Sequence, residues 1–261
     1  MERLELENSL RKALDEDQFV VYYQPTIDIH KNEIVSVEAL LRWEHPEKGI
    51  IKPIDFVPLA EDCGLIVPIG EKLVRTAARQ LKAWKDEGLE NQNVSINIAP
   101  RQFRDMDVLA LFKEVMHENA LEPSNFTIEI TESALIDNVG EVEKVLNILS
   151  GMGVTIALDD FGTGFASLAY LKDFPVDIVK IDRIFIAGTP DSREDSAIVE
   201  AIAGLTRGLK LRLLAEGIEN DRQLQMLKGL GCQLAQGYYW SKALPADQYE
   251  QFYLNRFYNI G

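Results

Sequence analysis

The sequence predicts an α/β fold in which eight strands and their helices close into a TIM-type (β/α)8 barrel, modified by one antiparallel strand. Three observations carry this expectation. The chain has 261 residues, 46% of them hydrophobic, and a barrel of this kind forms as a single domain of about 250 residues. Short apolar runs alternate with stretches whose apolar residues recur at three and four, which is strand followed by helix. Several helical patterns run into a glycine before the next strand, as left-handed caps require. An open doubly wound sheet satisfies the same periodicity, so closure is left undecided.

In chain order, residues 1–16 read as a charged connector or capping helix and residues 17–261 as the barrel. The strands Phe19–Tyr23 and Val35–Leu41 are joined by Thr26–Ile34, whose Lys31-Asn32 pair suits a hairpin turn better than a helical crossover and makes one strand antiparallel. Helix Glu71–Asp86 carries the stripe Leu73, Ala77, Leu81, Trp84 and stops near Gly88. Strand Val94–Ile98, helix Val108–Asn119, strand Phe126–Ile130 and helix Val139–Met152 follow, the last ending at Gly153. Strands Thr155–Leu158 and Ile178–Ile181 precede helix Ala197–Arg207, which Gly208 is expected to stop. Strand Leu211–Ala215, helix Asp221–Leu227 with Gly231 after it, and strand Gln233–Gln236 complete the set. No Gly/Ser-rich linker or internal repeat divides the chain, so one domain spanning 1–261 is expected.

The formal charge of −15 excludes a protein that grips long nucleic acid by neutralising its phosphates. If the substrate is nonetheless a phosphate, positive charge has to come from divalent metal held by carboxylates. Cys63 and Cys232 lie far apart without metal-site or disulfide spacing, which suits a reducing cytoplasm. There is no signal-like apolar region and no apolar run of about 18 residues, so no membrane segment is expected, although a longer parent protein can be membrane-tethered.

The informative feature is where the acids fall. Glu38 (VEALLRW), Asn97 (VSINIAP), Glu129 and Glu132 (FTIEITES), Asp159 and Asp160 (TIALDDFGTG), and Glu216 and Glu219 (LLAEGIE) all lie within or just past an apolar strand. Burying a carboxylate there is costly unless it is paired or coordinates a cation, and Lys180 (IVKID) is the one obvious base nearby. In a barrel these ends meet at one mouth, and Glu38, Asn97, Glu129, Asp159 and Asp160 make an all-oxygen cage for Mg2+ or Mn2+. Adjacent Asp159 and Asp160 suit two ions about 4 Å apart.

These residues carry a resemblance. Glu38-Ala39-Leu40, Asp159-Asp160-Phe161-Gly162-Thr163-Gly164, Lys180-Ile181-Asp182 and Ala215-Glu216-Gly217-Ile218-Glu219 resemble, in order, the motifs of EAL-domain cyclic di-GMP phosphodiesterases. Tyr23-Gln24-Pro25, Arg42-Trp43 and Gln236-Gly237-Tyr238 extend the match from about Leu4 to Pro245. The resemblance implies a modified barrel with one antiparallel strand that cleaves cyclic di-GMP to linear pGpG with two Mg2+ or Mn2+ ions. It implies Glu38, Asn97, Glu129 and Asp159 as ligands of the first ion and Asp159 and Asp160 of the second, with Lys180 and Glu216 handling the attacking water. It further implies Gln24, Leu40, Arg42 and Gln236 along the substrate groove, Glu132 steadying the Asp160–Gly164 loop, Glu219 as a supporting residue, a homodimer through Phe165–Leu171, and an upstream sensor or GGDEF-type domain. Departures are slight: Ala166, Ile218, Asn220 and Tyr239-Trp240 stand where serine, valine, threonine and a smaller pair are usual, and none removes a ligand. The competing expectation is a receptor that binds cyclic di-GMP without turnover; receptors of that kind usually lack a ligand, and this chain lacks none.

Bland readings apply elsewhere. His30, His45 and His117 have no partners in their motifs, and Trp43, Trp84 and Trp240 are expected to pack rather than stack on a base.

Overall fold

In the computed structural model, which describes residues 2–89, 92–132, 139–163 and 170–258, nine strands form one sheet: β1 (Phe19–Asp28), β2 (Glu33–His45), β3 (Gly49–Ile51), β4 (Val94–Asn97), β5 (Phe126–Thr131), β6 (Thr155–Phe161), β7 (Ile178–Ile181), β8 (Arg212–Ala215) and β9 (Leu234–Ala235). The order β1-β9-β8-β7-β6-β5-β4-β2 returns to β1 through a β1–β2 pairing, so eight strands close and β3 lies outside on the edge of β2. Closure excludes the open doubly wound sheet.

β1 runs antiparallel to both of its neighbours, while β2, β4, β5, β6, β7, β8 and β9 are parallel. The cause is local. Asp28 Oδ1 accepts from the backbone N–H groups of His30 and Lys31, both at 3.0 Å, and Asn32 takes the left-handed conformation at φ 59, so the chain reverses within four residues. The turn is tighter than the sequence suggests, and β1 and β2 extend to meet it.

The helices bury the expected stripes. In helix Ile66–Asp86, Leu73, Ala77, Leu81 and Trp84 all join the core. Gly153 and Gly231 take left-handed conformations past their helices. Gly208 does not: helix Arg193–Leu209 runs through it, and Lys210, at φ 59, takes the left-handed position instead. The closing bonds Lys210 N to Arg207 O (3.2 Å) and Leu211 N to Thr206 O (2.9 Å) form two residues later than a cap at Gly208 would, with Leu211 packed against the core. Helix Glu2–Asp15 buries Leu10 and Ala13. Among the described residues no helix is long and apolar enough to cross a membrane.

Candidate metal centre

Side chains alternate along a strand, so residues two apart in the parallel strands face the same side. Glu38 on β2, Asn97 at the end of β4, Glu129 on β5, Asp159 on β6 and Lys180 on β7 therefore converge with Glu216 and Gln236, which directly follow β8 and β9. This is the C-terminal mouth, where barrel enzymes carry their chemistry.

Lys180 is fully buried at its centre. Its Nζ lies 2.5 Å from Glu129 Oε2, 2.8 Å from Glu216 Oε1, 3.2 Å from Asp159 Oδ2 and 3.7 Å from Glu38 Oε2. Asn97 Nδ2 donates to Glu38 Oε1 at 2.8 Å, and Gln236 Nε2 donates to Glu38 Oε2 at 2.6 Å and to Glu216 Oε1 at 3.3 Å. Gln236 in turn accepts from Thr26 Oγ1 at 3.3 Å.

One lysine thus faces four carboxylates, and the balance shows in their proton affinities. Burial first, then repulsion from Glu38 and Asp159, pushes Glu129 well above the ordinary carboxylate range despite Lys180. Burial raises Asp159 in the same way and lifts Glu216 to about 8. Glu38 alone is held below its usual value, because Lys180 and the Gln236 and Asn97 amides outweigh its burial. Burial would discharge Lys180, but the surrounding acids outweigh it and keep the ammonium charged.

Unmatched buried charge of this kind calls for cations. One oxygen each from Glu38, Glu129 and Asp159 lies within 4.8 Å of the other two, and an all-oxygen set suits a hard divalent ion. The residues present therefore fit such an ion.

Asp160 lines the same cavity as Asp159 but is held by a different backbone. It takes the left-handed conformation at φ 54, with its N–H on Asp159 Oδ1 at 2.9 Å and its carbonyl accepting from Thr163 Oγ1 at 2.8 Å. Burial, then repulsion from Asp159 and a contact with Asp182, lifts its carboxyl to about 6. Asp182, quoted in the Lys-Ile-Asp motif but given no role, thus faces the expected second-ion ligand. Glu132 is buried and accepts from Gly162 N at 2.8 Å through Oε1, whereas its Oε2 has no partner among the described residues. Glu219 is solvent-exposed, with its backbone N–H on Gln223 Oε1 at 2.8 Å.

A cavity of about 440 Å3 opens onto Asn97, Glu129, Asp159 and Asp160 and is walled by Leu40 and by Pro53, Ile54, Val57, Pro58 and Glu61. The last five lie on helix Pro53–Cys63, which sequence reasoning missed; its signal is Pro53 at the first helical position and Gly64 in the left-handed conformation past its end. Of the other groove residues, Gln24 Nε2 donates to Ser241 O at 3.4 Å, while Arg42 Nη1 donates to Leu41 O at 2.7 Å and its guanidinium sits 5.7 Å from the Tyr22 ring centroid. Gln236 is buried against the acids rather than lining this cavity. Gly164 and most of the expected dimer segment, Phe165–Ala169, lie outside the described residues; at its far end Leu171 is buried. Trp43 and Trp84 are fully buried, as expected of packing residues.

Comparison with known proteins agrees with this arrangement. The family model described as "EAL domain" matches residues 7–243. The chain is 42% identical over 247 residues to the bifunctional diguanylate cyclase/cyclic di-GMP phosphodiesterase MucR of Pseudomonas aeruginosa, covering 95% of this chain and 36% of MucR. It is 38% identical over 252 residues to the cyclic di-GMP phosphodiesterase PdeR of Escherichia coli, covering 97% of this chain and 38% of PdeR. The solved structure of the PaMucR phosphodiesterase in its c-di-GMP complex superposes with a TM-score of 0.89 at 42% identity, covering 94% of this chain and 99% of that one. The chain therefore spans little more than a third of the length of these curated relatives.

Proposed function

The chain belongs to the EAL domain family, and from that premise we propose that it hydrolyses cyclic di-GMP to linear pGpG. The observation that carries this reading is the unbalanced set of carboxylates around Lys180, the buried Glu38, Glu129 and Asp159 with the partly buried Glu216, of which Glu129 and Asp159 line an apolar-walled cavity. Glu38, Asn97, Glu129 and Asp159 would hold one Mg2+ or Mn2+ ion, and Asp159 with Asp160 a second. Such ions supply positive charge to the phosphodiester and acidify water.

The chain's own residues do the rest. Asn97 and Gln236 fix both oxygens of Glu38, so its carboxylate is oriented before any ligand arrives. Glu216, with a carboxyl lifted to about 8, is placed to take a proton from the attacking water, and Lys180 to orient that water. Leu40 and the Pro53–Glu61 wall exclude solvent, while Gln24 and Arg42, outside that cavity, would extend the groove, the guanidinium suited to a phosphate oxygen. Glu132 steadies the backbone at Gly162 that follows Asp160, with Glu219 supporting from the rim.

We read residues 1–261 as one cytoplasmic domain that forms homodimers, with helix Glu2–Asp15 connecting to an upstream sensor or GGDEF-type domain in a parent protein that can be membrane-tethered. Two free thiols support the reducing compartment, and the partial coverage of MucR supports the further domain. The deciding experiment is turnover of cyclic di-GMP by the purified chain with Mg2+, Mn2+ or excess chelator, with binding followed separately. Metal-dependent cleavage is expected. Binding without cleavage under every metal would overturn the hydrolase in favour of a receptor.

A further inference from the structure

The interior of a barrel of this kind is ordinarily filled by layers of bulky branched side chains. Here the layer beneath the acid cluster is filled on one side only. Ile178, Leu214 and Leu234 occupy the β7–β9 side, whereas β4, β5 and β6 contribute Ser95, Thr127 and Ala157. The shortfall leaves a second cavity of about 140 Å3 on the barrel axis.

Its shape is a funnel. The lower rim, at the N-terminal ends of the strands, includes Ser36, Asn93 and Thr155, all partly exposed, and Arg212, which is exposed. Higher up, Ser95 and Thr127 are only 5% and 8% exposed. At the top the wall is Glu129, and Glu129 is the one residue shared by this cavity and the substrate-side cavity above it. A pore that is polar along one wall, open at its base and capped by a carboxylate is suited to water: each molecule finds two or more polar partners, and the volume holds roughly four at about 30 Å3 apiece. An apolar ligand would leave the Ser95 and Thr127 hydroxyls without a partner on the cavity side.

We infer that the barrel axis is a water channel running from the N-terminal face, past Ser95 and Thr127, to Glu129. It gives the metal centre a second exchange route for water and protons, one that stays open when a dinucleotide covers the upper mouth. The functional part of this inference rests on the hydrolase reading, because hydrolysis consumes one water for each phosphodiester bond cut.

The test has two arms. A crystal structure of the full chain with metal and cyclic di-GMP should show ordered waters bonded to Ser95 Oγ and Thr127 Oγ1 and reaching the Glu129 carboxylate; a dry cavity would overturn the channel. The double variant Ser95→Ala/Thr127→Val keeps the packing and removes both hydroxyls. Its kcat should fall about tenfold, the kinetic equivalent of roughly one hydrogen bond, with KM and metal dependence unchanged. A wild-type kcat would sink the exchange role. If no metal supports hydrolysis in the parent chain, the hydrolase reading fails, and the crystallographic waters alone decide whether the channel exists.

Discussion

Replacing Lys180 by methionine keeps most of the side-chain volume and deletes the only ammonium that pairs with the cluster among the described residues. Each of its four contacts lies between 2.5 and 3.7 Å. A pair at about 4 Å contributes on the order of 4 kcal/mol at an effective dielectric near 20, so the gross attraction is on the order of 15 kcal/mol. Most of that is cancelled by the burial of Lys180 and by repulsion among the acids. The relevant magnitude is the cost of stranding buried charge by removing one partner, about 3–5 kcal/mol. At about 2–4 °C per kcal/mol for a domain of this size, Lys180→Met should melt roughly 10 °C below the parent in excess chelator. Mg2+ should restore more stability to the variant than it adds to the parent, because the cation takes over the missing counter-charge. Paired thermal melts with chelator or Mg2+ decide the matter. A variant that melts with the parent in chelator would refute the view of Lys180 as the cluster's counter-ion.

Other expectations follow from the same geometry. Glu38→Gln keeps the shape, but its amide meets the donors of Asn97 and Gln236; turnover should be lost and Mg2+ affinity weakened, with a loss of about 1–3 kcal/mol in chelator from the unpaired donor, and wild-type rates would discredit the ligand set. Glu216, lifted to about 8, binds a proton in the folded state that the unfolded chain has already released above its ordinary value of 4.5. Glu129 and Asp159 share that sign, so stability in chelator should fall as pH rises from about 4.5 to 8, and Mg2+ should flatten the slope. Melts in chelator that rise over this window would contradict the raised values. Gly237→Ala places a Cβ 2.2 Å from Ile218 O and 2.3 Å from Ile218 N, backbone that cannot step aside; a loss of about 1–3 kcal/mol is expected by denaturant unfolding, and a neutral result would show that the Glu216–Gly237 loops are softer than they look.

The acid cluster was legible because each acid stands within or just past an apolar strand, where a carboxylate is costly to bury. Closure was not, since the pairing of Ile27 with Ala235 is a long-range event that no local period encodes. Helix Pro53–Cys63 was hidden for a different reason: it buries only Phe56 and Ala60 in the core and turns other residues toward the cavity, which blurs the stripe that marks a helix. Gly208 shows the limit of residue-type rules, since a tertiary contact at Leu211 moved the cap to a lysine. The left-handed conformation of Asp160 had no signature beyond its neighbour Asp159.

The barrel is shut by very little ladder: β1 and β9 share only the pairs Ile27–Ala235 and Asp28–Leu234, beside the bridge from Tyr23 to Leu244. The bond from Gln236 to Glu38 crosses that same junction, tying residues 198 apart in sequence. The proposed metal centre is therefore also the clasp of the ring. Glu38 arrives with the first hairpin and Gln236, which orients it, arrives just after the last strand, so a ligand that grips Glu38 fastens together the two ends of the fold.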